Sequence, residues 1–205
     1  MAASDYEKNV FINCPFDATY KPLFEAITFA IHDCGYQPRC AQEIDDASEV
    51  RIDKVFRIVA ECNYGVHDIS RTEVTAASGL PRFNMPLELG IFLAAKRFGA
   101  GQQRDKVCLI LDSQPYRYQQ FISDIAGQDI QVHNNNEREA ITVVRNVLRG
   151  ASGSSTLPGG AEIYRRFQLF TAKLPKFCTE LRLQRKELTF KDFTLLIYNW
   201  LRDNS

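Results

Sequence analysis

Short apolar runs of β-forming residues alternate along the chain with longer stretches in which apolar positions recur every three to four residues. The first run, NVFIN (Asn9 to Asn13), ends at CPFDATY, where Pro15 and Asp17 mark a loop. Leu23, Ile27, Ile31 and Cys34 then share one face of a helix that Gly35 terminates. YQPRCA (Tyr36 to Ala41) is a second extended segment, and Pro38, which has no N–H for a ladder, places it at a sheet edge. After an acidic loop from Glu43 to Glu49, the positions Ile52, Val55, Phe56 and Val59 mark a helix beginning near Val50, with Asp46, Ser48 and Glu49 to cap it. YGVHDIS (Tyr64 to Ser70) predicts a third strand with its following loop, and TEVTAASGLPR an exposed loop punctuated by Gly and Pro. A third helix runs from Arg82 to about Arg97. KVCLILD (Lys106 to Asp112) is the near-continuous apolar run of a strand covered on both faces. A short helix around Tyr118 to Ile125, a strand at Ile130 to His133 and a helix from Glu137 to Arg149 follow.

Five alternations of strand and helix predict an α/β fold, because parallel neighbours need crossovers. The expected form is a flavodoxin-like three-layer sandwich with a five-stranded parallel sheet, order 2-1-3-4-5, plus a C-terminal helical extension. GASGSSTLPGG (Gly150 to Gly160) has the composition of a linker. Beyond it Ile163, Phe167, Phe170 and Leu174, then Phe193, Ile197 and Trp200, keep helical spacing with no strand signal. The chain divides into an α/β domain, residues 1–150, and a helical appendage, residues 151–205.

Charge narrows the classes of function. The 25 basic and 25 acidic side chains cancel, which removes the general attraction to phosphate of a nucleic-acid binder. The appendage carries 9 basic and 5 acidic residues, leaving 16 and 20 for the rest, so a docking attraction between the two can operate, with solvated helix faces the plainer account. No run approaches the roughly 18 apolar residues of a membrane span and no leader precedes the first strand, so a cytoplasmic protein without membrane contact is expected. The six cysteines are scattered and never form CxxC, which predicts reduced, buried thiols. His32, His67 and His133 lie too far apart for a local ligand pair, so no metal is expected.

In open parallel sheets ligands bind beyond the carboxyl ends of the strands, where strand order reverses, here between the first and third strands. The loops NCPFD and HDIS and the start of the helix carrying Glu88 converge there. With Pro86 at the first helical position, Glu88 is at the third, where free N–H groups keep a carboxylate ionised. Such a carboxylate can attack, or stabilise, the oxocarbenium-like centre of a breaking glycosidic bond. The plainer account is that Glu88 reaches back to the capping residue, Met85, which lacks the hydroxyl of a full capping box.

The segment VFINCPF, followed later by MPLELGIFLAAKR ahead of KVCLIL, resembles the nucleoside 2-deoxyribosyltransferase family, whose fold kin include bacterial TIR domains that cleave NAD. The likeness spans roughly residues 9–133 and is specific at ELG with its flanking elements. It implies that the first domain is of this kind and that Glu88 is the catalytic nucleophile. Asp68 is then placed at the sugar hydroxyls, with Asn13 and Phe16 at the base or phosphate. The implied function is cleavage or transfer at the N-glycosidic bond of a nucleotide or nucleoside, with NAD a candidate substrate and no cofactor. A homo-oligomer is also implied, because sites of this family are often completed by a neighbouring subunit.

Arg71, just after HDIS, is a candidate for a dinucleotide phosphate, as is Arg82; Asn84 is a candidate substrate contact that equally serves as a helix cap. By strand alternation His67 points away from Asp68 and is a buried structural histidine. The alternative function is a non-catalytic TIR-like signalling, scaffolding or nucleotide-sensing module. A redox flavodoxin-like protein needs a phosphate loop rich in Ser, Thr and Gly, which CPFDATY does not supply.

Overall fold

The computed structural model describes residues 3–43, 48–74, 79–152 and 156–204. Five parallel strands form one sheet in the order β2-β1-β3-β4-β5, as the alternation predicted. They are β1 (Asn9–Asn13), β2 (Gln37–Arg39), β3 (Tyr64–Asp68), β4 (Val107–Asp112) and β5 (Gln131–Val132). The edge position of β2 accommodates Pro38. Every residue of β1 and β3 is buried, because helices cover both faces of the sheet.

A single helical turn, α1 (Ala3–Tyr6), precedes β1. Helices α2 (Lys21–Asp33) and α5 (Glu137–Ser152) cover one face, while α3 (Arg51–Ala60) and α4 (Asn84–Phe98) cover the other. Alternation along the strands sorts the core accordingly. Val10, Ile12, Tyr64 and Val66 pack toward α2 and α5, whereas Phe11 meets Val55, Ile58 and Phe92 of α3 and α4. Gly65 faces α4 so closely that a Cβ there would lie 2.5 Å from His67 Nε2 and 2.8 Å from the Phe92 ring. Only glycine fits that approach. Lys106 is buried just before β4 and donates from Nζ to the carbonyls of Val59 (2.7 Å) and Cys62, tying the end of α3 to the sheet.

The C-terminal segment is helical, as its spacing predicted, in α6 (Gly160–Glu180) and α7 (Phe190–Asp203). Thr189 and Asp192 close a capping box at the start of α7. These helices pack into the α2/α5 side. Phe29 of α2 has ring centroids of Phe167 and Phe170 at 5.5 Å and of Trp200 at 5.8 Å. Two ion pairs reinforce this seam, Arg185 to Glu25 at 2.5 Å and Arg166 to Asp33 at 3.3 Å. The basic tail and acidic body therefore do dock electrostatically, where solvated faces were the plainer expectation.

Three local expectations differ. The segment Gly150–Ser152 continues α5 rather than opening a linker, since a helix with a strong apolar face tolerates one glycine near its end. The crossover from β4 to β5 holds two 3₁₀ turns, Arg117–Gln120 and Ser123–Ile125, in place of one helix. There Tyr116 takes a left-handed conformation (φ 60°) and Arg117 turns back to bond Asp112, which breaks helical continuity. The residue before α3 is Val50, whose side chain makes no cap bond, and Glu49 pairs with Arg57 at 2.8 Å. The proposed cap residue Asp46, the middle of the acidic loop at 44–47 and the part of the next loop at 75–78 lie outside the described residues. All six cysteines are free, five of them buried and Cys108 half-buried. Among the described residues no helix is long and apolar enough to cross a membrane.

Candidate active site at the carboxyl edge of the sheet

Glu88 sits at the carboxyl edge on the α3/α4 side. Helix α4 begins at Asn84, with Phe83 as the preceding cap residue and no side-chain cap. Pro86 is thus the third helical residue and Glu88 the fifth, beyond reach of the capping position. The capping account of Glu88 fails for that reason, and so does the expectation that free N–H groups alone keep it charged.

Glu88 is 4% exposed. Its Oε1 lies 3.2 Å from a guanidinium nitrogen of Arg51, the first residue of α3. Burial raises its pKa above the ordinary glutamate range, and Arg51 opposes the shift without cancelling it. Arg51 is itself 58% exposed, so the partner of a buried carboxylate is a side chain free to swing into solvent.

Asn13 is brought to the same place. Its amide donates to the Met85 carbonyl (2.8 Å) and lies 3.0 Å from Nδ1 of His67, pinning the first turn of α4 to β1 and β3. Burial, with the nearby Lys106 charge, pushes the His67 pKa down to about 3, so the neutral ring accepts the Asn13 proton at Nδ1. His67 packs edge-on against Phe92 and Phe11, away from Asp68, as alternation required.

Asp68 faces the other side of the sheet and is fully buried. Its Oδ2 accepts the Tyr20 hydroxyl and lies 2.9 Å from Nε2 of His133; its Oδ1 accepts the Ser70 N–H at 2.8 Å. His133 Nδ1 accepts the Asn135 N–H at 3.0 Å, which leaves the ring proton on Nε2. Both Asp68 oxygens are therefore engaged by the protein, and the residue organises the strand ends around it.

The remaining candidates are distributed. Phe16 packs edge-on against Phe24 (5.4 Å) and lines a cavity of about 210 Å³ between the β1 loop and the start of α7, on the α2 side. Arg71 is half-buried at the carboxyl edge, and Asn84 is exposed. Arg82 pairs with Asp17 at 2.7 Å, joining the loop after β1 to the loop before α4. The structure thus ties Asn13 to the first turn of the helix that carries Glu88 and sets Asp68 and Phe16 on the other side of the sheet. Buried Cys14 lies between the groups, its thiol pushed well up by burial and by the charges of Asp68, Glu88 and Asp17.

Sequence reasoning missed Arg51, Asp17 and the pair Asp112–Arg117. Asp17 accepts N–H bonds from Thr19 and Tyr20 at 3.0 Å; burial raises its pKa, but the Tyr20 bond, Arg82 and the charge of Arg71 outweigh it and hold the carboxyl low. Asp112 ends β4 and accepts from Arg117 Nε at 2.7 Å. A carboxylate closing an apolar strand was the visible signal for Asp112, whereas nothing local in the sequence links Arg51 to Glu88. No family model matches the chain, and no curated protein or solved structure matches it significantly.

Proposed function

We propose that the protein cleaves or transfers at the N-glycosidic bond of a nucleotide or nucleoside, with NAD a candidate substrate and Glu88 the essential carboxylate. The observation that carries this reading is the pairing of a buried carboxyl on the sheet's carboxyl edge with a solvent-reaching guanidinium, Arg51, as its one partner among the described residues. A charge held out of water at a strand-end site is costly to the fold and matches the needs of acyl- or glycosyl-type chemistry. The resemblance of MPLELG to the transferase helix start points to the same side chain.

In this mechanism Arg51 keeps Glu88 ionised while its exposed guanidinium also meets a substrate phosphate, and the Glu88 carboxylate stabilises or attacks the anomeric carbon. The C–N bond breaks with its electron pair leaving on the base, and water or an acceptor nucleobase then bonds to the anomeric carbon and releases the carboxylate. Asn13 is a positioning residue that fixes the turn bearing Glu88. The alternative, a non-catalytic nucleotide-sensing or scaffolding module, is favoured by one observation: none of the described cavities has Glu88 in its lining.

Incubation with NAD and with a panel of ribo- and deoxyribonucleosides, read by chromatography of released base, separates the two. Base release supports the enzyme. No release from any substrate, with or without a second nucleobase as acceptor, overturns it in favour of the module.

A further inference from the structure

A second site stands on the opposite face of the sheet. Above the ends of β1, β3, β4 and β5, between the starts of α2 and α5, lies a cavity of about 620 Å³ walled by Tyr20, Ser70, Arg71, Ser113, Asn135 and Glu137. Residues from four successive strand ends meet there, the position at which open parallel sheets hold ligands.

Its chemistry is unusual for a passive gap. Ser70 is 3% exposed, and its Oγ has no hydrogen-bond partner among the described residues. Buried hydroxyls are ordinarily satisfied, so this one is a donor and acceptor awaiting a partner. Arg71, beside it, makes no ion pair among the described residues. At the other end Glu137 is held where burial and the charge of Glu25 push its pKa up, leaving a carboxyl suited to hydroxyl groups rather than to a cation.

The floor is rigid. Tyr20 is bonded to Asp68, Asp68 lies 2.9 Å from His133, and His133 holds Asn135, which like Asn134 takes a left-handed conformation (φ 54° and 49°).

We propose that this cavity binds a sugar phosphate, its phosphate on Arg71 and the Ser70 hydroxyl and its sugar hydroxyls on Ser113, Asn135 and Glu137. A bare polyanion is disfavoured, because Glu73 and Glu137 also line the space; a neutral polyol beside them avoids that repulsion and uses their oxygens. The site stands apart from Glu88 and does not depend on its chemistry.

The test is calorimetric titration of the intact protein with ribose 5-phosphate, inorganic phosphate and ribose. Saturable binding of ribose 5-phosphate, tighter than either component, is expected. Arg71→Ala should weaken it by about tenfold or more, since a charge-assisted bond to phosphate is lost. Ser70→Ala should weaken binding while leaving the unliganded protein no less stable, because it removes an unpartnered hydroxyl, a combination that a structural role would not give. Glu88→Gln should bind as the wild type does, so that failure here and failure of the Glu88 reading are distinguishable. No saturable binding at millimolar ligand, equal affinity for inorganic phosphate, or indifference to Arg71→Ala overturns the proposal.

Discussion

Replacing Phe170 by alanine tests whether the C-terminal helices are part of the main core. Phe170 lies in α6, is fully buried, and has Phe29 of α2 at 5.5 Å, Phe193 at 5.8 Å and Trp200 at 5.9 Å between ring centroids. Truncation removes a ring from a seam that joins three helices and leaves a cavity that aromatic neighbours cannot close. The cost expected is about 3–5 kcal/mol. For a chain of this size each kcal/mol lowers the melting temperature by roughly 2–4 °C, so a fall of about 6–20 °C follows. The chain's one tryptophan, Trp200, lies in α7 and reports on the seam by fluorescence, while far-UV circular dichroism follows the whole fold. Both probes should shift together and trace one transition in the wild type and the variant. A variant whose Trp200 signal is lost early while the remaining dichroism melts as in the wild type would refute the reasoning, because the helices would then be a separately folding annex.

Other predictions concern the sheet and the site. Gly65→Ala places a methyl 2.5 Å from His67 Nε2 and should cost about 1–3 kcal/mol, measurable by denaturant unfolding; an unchanged midpoint would contradict the close approach of α4. His67 keeps its ring neutral down to about pH 3 in the folded protein, whereas the unfolded ring takes a proton near 6.5. Its contribution is therefore complete above about pH 6.5 and is lost toward pH 3 at up to about 1.4 kcal/mol per pH unit. His67→Gln should flatten the acid limb of stability relative to the wild type, and parallel limbs would count against it. If Glu88 reacts as a carboxylate, turnover should fall as pH drops through a pKa above the ordinary glutamate range. Arg51→Ala should move that limb further up, because it removes the charge opposing the burial shift; a limb that stays in place would detach Arg51 from the site.

Periodicity made the architecture legible. NVFIN, YGVHD and VCLILD each fall on a strand, and their order and parallel pairing followed from the helices between them. What it could not show was continuity across the sheet face. Phe167, Phe170 and Trp200 had helical spacing in any arrangement, and only the packing reveals that Phe29 is their shared neighbour. In the site, alternation along β3 correctly turned His67 from Asp68. Applied one step further, it also put Asp68 on the face opposite Glu88, which a reading of loops as one converging mouth overlooked. The start of α4 was misplaced by two residues because Pro86 is accepted anywhere in the first turn, where the N–H it lacks would be unpaired anyway. Partners distant in sequence, such as Arg51 with Glu88 or Tyr20 with Asp68, left no local mark.

The central claim is that one buried carboxyl breaks an N-glycosidic bond, and the most direct measurement compares free base released from NAD and from nucleosides by the wild type and by Glu88→Gln at matched folded concentration. The account predicts release by the wild type and its loss, by about a hundredfold or more, in a variant that melts no lower than its parent. Equal release by the two proteins would contradict it.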